Sequence, residues 1–91
     1  MKVCKKFKDR LIGMMFQKNF NDEYLFPNCK SIHTFFMRLN IDVIAITKDN
    51  KIIKIRKNVA PNKVIFMPKN TYAILETKAN SSYKVNDIIK Y

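Results

Sequence analysis

The centre of the chain carries three short runs rich in aromatic or β-branched residues, at 32–38, 41–47 and 51–57. Such runs predict strands, and the breaks at Leu39-Asn40 and Lys48-Asp49-Asn50 predict turns between them. With Asp49-Asn50 as a two-residue hairpin loop, Lys48 faces Lys51, Ile46 faces Ile53, Ile44 faces Ile55 and Asp42 faces Lys57. With Leu39-Asn40 as a second tight turn, Met37 faces Asp42, Phe35 faces Ile44 and His33 faces Ile46. Both registers place His33, Phe35, Met37, Asp42, Ile44, Ile46, Ile53 and Ile55 on one face, the expected core. Thr34, Phe36, Arg38, Val43, Ala45, Lys54 and Arg56 fall on the reverse, half apolar and half basic.

Toward the N-terminus the period changes. Phe7, Leu11, Met14 and Met15 recur at helical spacing and predict a short amphipathic helix over about 6–15, the natural cover for the apolar half of the reverse face. Tyr24-Leu25-Phe26 reads as a short strand stopped by Pro27. Further strands are expected at Val64 to Met67, at Thr71 to Thr77 and, after an Asn80-Ser81-Ser82 turn, at Asp87 to Lys90. The expected fold is mainly β (α+β): a small barrel or rolled antiparallel sheet of about six short strands with one N-terminal helix. No linker, repeat or low-complexity tract divides the chain, so residues 1–91 read as a single domain.

Composition sharpens this picture in two places. Gly13 is the only glycine, so the turns must rest mainly on Asn, Asp and Pro. The formal charge of +11 suggests a polyanion partner, because cations near phosphates release counterions. Yet the charge comes from fifteen Lys and three Arg scattered along the chain, the usage of AT-rich coding, and Arg is the residue suited to bidentate phosphate or base recognition. Two cysteines, Cys4 and Cys29, make no disulfide framework. No run approaches the roughly 18 apolar residues of a membrane helix, and the start shows no signal peptide. A cytoplasmic protein with reduced thiols is expected.

Candidate chemistry gathers around residues 29–42. Cys29 and His33 would supply two zinc ligands, but a structural site takes four and only Cys4 and a carboxylate remain, so no metal and no cofactor is expected. As thiolate and base they would form an enzyme's nucleophilic pair; the ordinary reading is a loop thiol and an imidazole with backbone partners. Asp42 puts a carboxylate on an apolar face, where it needs Lys57, Arg10 or backbone N–H groups. The hairpin register separates His33 from Asp42 by about 13 Å, which excludes a dyad. The residues to probe as a ligand-binding group are therefore Cys29, His33, Thr34, Met37, Arg38 and Asp42, with no catalytic residue assigned. A competing reading is a single-stranded nucleic-acid surface of Phe36, Arg38, Lys54 and Arg56, stacking beside charge.

The string Arg10-Leu11-Ile12-Gly13-Met14-Met15 resembles the Arg-x-x-Gly-Leu-Met signature of the prokaryotic family catalogued as domain of unknown function 192. The resemblance continues through Leu25-Phe26-Pro27-Asn28-Cys29, Ser31 to Met37 and Ile41-Asp42-Val43-Ile44, and returns at Ala60-Pro61 and Ile74-Leu75-Glu76. It implies a mainly β domain with one short helix and no established activity. Here Leu39-Asn40 replaces the usual Phe-Pro, Ala45 a bulky aromatic, and Asn80 and Asn86 stand where glycines are usual. The expected function is a non-enzymatic module that binds an unidentified ligand or protein partner.

Overall fold

β-Branched and aromatic side chains dominate the segments that pair in the computed structural model, which describes residues 2–3, 23–34 and 39–90. Among the described residues seven strands form: β1 (Lys2–Val3), β2 (Tyr24–Pro27), β3 (Ser31–His33), β4 (Ile41–Ile46), β5 (Ile52–Val59), β6 (Val64–Phe66) and β7 (Ala73–Lys78). Five of them make one sheet in the order β1-β2-β7-β4-β5, and β3 pairs with β6 in a second. Every pair is antiparallel except β1 with β2. The mainly β expectation holds, but as two sheets rather than a single rolled one. The helix over 6–15, with Phe7 and Leu11, lies outside the described residues.

β4 is the reason for this layering. All six of its residues are buried, which a strand achieves only when both faces of its sheet are covered. Ile41, Val43 and Ala45 pack with Tyr24, Phe26, Cys29, Ile65, Met67 and Ile74, so the small β3–β6 sheet closes that face. Ile44 and Ile46 pack on the other face with Leu25, Ile52, Leu75 and Ile89. Each of these fully buried aliphatic side chains stabilises the fold by about 1.5–3 kcal/mol. The face predicted to be half basic is thus the first of two cores, with Val43 and Ala45 in it, and the Ile44 and Ile46 face is the second.

Two predicted registers change. β3 does not return beside β4; it pairs with β6, placing His33 opposite Val64 and Ile32 opposite Ile65. The expected core grouping of His33 with Ile46 therefore fails, and with it the distance that excluded a His33–Asp42 dyad. Phe35, Phe36, Met37 and Arg38 lie outside the described residues. β4's other neighbour is β7, a pairing across some thirty residues that no local pattern announces.

The β4–β5 hairpin is right in its middle for two compensating reasons. Its loop has three residues, not two: Asn50 N–H donates to Thr47 O, and Thr47 N–H to Lys51 O. That shifts the register by one, and an extra residue at Ile53 shifts it back, so Ile44 faces Ile55 and Ala45 faces Lys54. The bulge also turns Ile53 into the first core, while Ile55 packs on the second. Farther along, Val43 faces Arg56 but Ile41 faces Val59, so Lys57 and Asn58 together oppose Asp42.

Asparagine does the work of the missing glycine. Asn28, Asn50, Asn58, Asn62, Asn80 and Asn86 all adopt positive φ, between 54° and 79°. Asn tolerates this region better than other non-glycine residues. The strand expected at 87–90 is a single bridge, Lys51 with Ile88, but its hydrogen bonds to Asn50 and Ile52 seat Ile89 in the second core. Among the described residues no helix is long and apolar enough to cross a membrane.

Candidate functional site

Asp42 is fully buried, and both its oxygens are engaged. Oδ1 accepts the Asn58 N–H at 2.9 Å. Oδ2 accepts the Ser81 N–H and the Ser81 hydroxyl, each at 2.8 Å. Burial alone would push its carboxyl up, but the donors from Asn58, Ser81 and Asn80 outweigh it and hold the group below the usual aspartate value. Lys57, the predicted partner, instead donates Nζ to Ser81 O. The carboxylate thus pins the β5 bulge on one side and the loop after β7 on the other.

Thr34 performs a comparable task for the β5–β6 loop. Its hydroxyl donates to Ala60 O and accepts the Lys63 N–H, both at 2.8 Å. Its backbone exchanges bonds with Asn62 and Lys63. Cys29 is buried after β2; its N–H donates to Tyr72 O and its Sγ–H to Ser31 O at 2.9 Å. Cys29, Thr34 and Asp42 are therefore each satisfied at a different loop. Met37, Arg38 and the His33 imidazole are outside the described residues. Lys54 and Arg56 of the alternative nucleic-acid surface are exposed on one face of β5, while Phe36 again lies outside.

A cleft opens at the end of the sheet where β2 and β4 finish and β7 begins. It has a volume of about 820 Å³ and is walled by three loops. The β2–β3 loop supplies Asn28 and Lys30, the β4–β5 turn Thr47, Lys48 and Asp49, and the β6–β7 turn Lys69 and Asn70. Both turns are closed by hydrogen bonds, Asn50 N–H to Thr47 O and Thr71 N–H to Pro68 O, so their tips are fixed by the scaffold. Tyr72 N–H donates to Ile46 O and Cys29 N–H to Tyr72 O, which ties the three loops together. Lys48 Nζ stands 5.9 Å from the Tyr72 ring centroid. Thr71, 2% exposed, lines the same cleft. Its Oγ1 is buried and has no hydrogen-bond partner among the described residues.

A second, smaller cleft of about 430 Å³ lies at the opposite end, between Glu23 and the loop after β7. The Tyr83 hydroxyl donates to the Glu23 carboxylate, 2.7 and 2.9 Å from its two oxygens. Burial, then the hydrogen bond and charge of Glu23, push the Tyr83 hydroxyl up to about 12. Among the described residues no group of three His, Cys, Asp or Glu could hold a metal ion.

Sequence reasoning missed Thr71 and the lysine-walled cleft. Each of Lys30, Lys48 and Lys69 sits in a recognisable turn segment, which is the one signal available. Which turns converge depends on the β2-β7-β4 order, set by pairings far apart in sequence.

Comparison with known proteins places this geometry in a family. The model of the family described as domain of unknown function 192, uncharacterized ACR, matches residues 1–86. A crystal structure of a protein of unknown function from Novosphingobium aromaticivorans DSM 12444 superposes with a TM-score of 0.85 at 18% identity, covering 98% of this chain and 72% of that one. A second crystal structure, of a putative transcription regulator from Sinorhizobium meliloti 1021, gives 0.74 at 20% identity over 85% of this chain and 66% of that one. At such identities the likeness is one of fold. None of the curated proteins matches the sequence.

Proposed function

The chain belongs to the family of domain of unknown function 192, and within that frame we propose that it is a non-enzymatic module that binds a small ligand in the cleft between the β2–β3, β4–β5 and β6–β7 loops. One observation carries this reading: a cleft of about 820 Å³ walled by three loops that backbone hydrogen bonds tie to one another. The volume suits a small-molecule site, typically some 300–1,000 Å³.

On this reading Asp42 and Thr34 serve the module by fixing loops, and Cys29 by holding the stretch between Asn28 and Lys30. Loops borne on a rigid sheet and tied to one another are the usual carriers of binding residues. The test is a fragment screen followed by ¹⁵N–¹H correlation spectra. Bound fragments are expected to move the amides of Asn28, Lys30, Lys48, Lys69 and Tyr72. Fragments that bind but leave those amides in place would overturn the assignment.

A second reading draws on the exposure of Lys54 and Arg56 along one face of β5. A basic strip there suits the backbone of a single-stranded nucleic acid. The putative transcription regulator of like fold is too distant to add weight. β5 is also an edge strand, and charges and bulges on an edge guard it against pairing with other chains. Oligonucleotide affinity should fall with salt at a slope of about −0.7 per neutralised phosphate; a flat salt dependence would end this reading.

A further inference from the structure

Taking the cleft as the binding site, we infer that its ligand is a small phosphorylated molecule, its phosphate held by Lys30, Lys48 and Lys69. The three lysines come from three separate loops and meet at one cleft, where Asp49 is the only carboxylate in the wall among the described residues. The local balance is three cations against one anion, so the wall carries net positive charge. Lys30 and Lys69 have no ion-pair partner among the described residues. Lys48 is held against the Tyr72 ring face, which positions its charge on the wall.

The donor set favours phosphate over other anions. A planar carboxylate is matched best by the fork of Arg, and among the described residues no Arg lines the cleft. Three ammonium groups, each a compact charge with several donors, suit a tetrahedral, doubly charged oxyanion. The cleft is much larger than one phosphate, so the remainder of the ligand has room beside Tyr72.

The test uses the whole chain at constant ionic strength, so that general screening is held fixed. Inorganic phosphate, glycerol 3-phosphate and glycerol are titrated while ¹⁵N–¹H spectra are recorded. Both phosphates should move the amides of Lys30, Lys48 and Lys69 through Tyr72, glycerol 3-phosphate at lower concentration, and glycerol should not. The triple variant Lys30→Gln, Lys48→Gln, Lys69→Gln should weaken binding on the order of tenfold or more.

Equal binding of phosphate and glycerol 3-phosphate would assign the site to free phosphate rather than an ester and overturn the larger ligand. Affinity unchanged in the lysine variant would overturn the phosphate inference, and neutral fragments that still bind the cleft would leave the binding-module reading standing. A single-stranded oligonucleotide that occupies these amides more tightly than glycerol 3-phosphate would replace the small ligand. No movement of the cleft amides with any probe or fragment would sink both.

Discussion

The Asp42 carboxylate and the Asn58 backbone are joined at the point where β5 holds one residue more than β4, Oδ1 accepting the Asn58 N–H at 2.9 Å. Asn58 has φ 54°, so its N–H points where a regular ladder would not use it. The same carboxylate holds Ser81 through two further bonds. Asp42→Ala leaves two backbone donors without their acceptor, each at about 1–3 kcal/mol when buried, and should destabilise the fold by about 2–4 kcal/mol. Asp42→Asn keeps one acceptor oxygen and should fall between the two. Urea midpoints at neutral pH measure both. An alanine variant with an unshifted midpoint would show that the bulge and the loop hold without the carboxylate.

The same group predicts an acid limb. Its folded carboxyl is held below the ordinary aspartate value of 3.8, so on acidification the unfolded chain takes up the proton first. The stabilisation is complete above 3.8 and is lost as the pH falls through the folded value. Wild-type stability should drop across that window more steeply than that of Asp42→Asn, which has no proton to exchange there. Parallel pH profiles of the two proteins would remove Asp42 as the cause.

Asn80 and Asn86 occupy positions where the family resemblance expects glycine, and their φ angles of 65° and 79° show why. Glycine adopts this region without steric penalty, asparagine at a small one, and a β-branched residue at a large one. Asn80→Gly and Asn86→Gly should leave the melting temperature nearly unchanged. Asn80→Val or Asn86→Val should each cost roughly 1–2 kcal/mol, or about 4–15 °C in a domain of this size. Valine variants as stable as the glycine ones would mean that these turns rearrange.

How much of this was legible follows from the range of each interaction. The strands expected over 41–47 and 51–57 form as Ile41–Ile46 and Ile52–Val59, and their central pairing of Ile44 with Ile55 could be read, because a hairpin is a local object. The reliance on asparagine turns could also be read, from the absence of glycine. The pairing of β4 with β7 could not, since Ile44 and Leu75 are brought together by burial and not by any pattern near either. The same limit hid the cleft. Asp42 stood out as a carboxylate in an apolar run, and its need for partners was correctly inferred, but Ser81 lies thirty-nine residues away. Lys30, Lys48 and Lys69 looked like ordinary loop lysines until the β2-β7-β4 order put their loops side by side.

Tyr83 and Glu23 predict an alkaline limb. The Tyr83 hydroxyl is raised from 10.0 to about 12 in the folded chain. The unfolded chain therefore loses this proton first as the pH rises. The stabilisation is complete below 10.0 and is lost between there and about 12. Tyr83→Phe should lose some stability at neutral pH and show a shallower decline over that window. Ultraviolet titration of the phenolate should also show one fewer late-titrating tyrosine. An unchanged titration curve in Tyr83→Phe would contradict the assignment.

Cys29 bears on whether thiol chemistry belongs to this chain. Alkylation needs an accessible thiolate, and Cys29 is 5% exposed, with its Sγ–H given to Ser31 O and its N–H to Tyr72 O. Freeing the sulfur requires the turn between β2 and β3 to open, and with it the contact to the residue that begins the approach to β7. Iodoacetamide should therefore label Cys29 only through unfolding, at a rate that rises with denaturant in step with the loss of structure. Peptide mapping separates this labelling from that of Cys4. Rapid labelling of Cys29 in the native protein at neutral pH would expose a reactive thiol and restore the enzymatic reading that pairs it with His33.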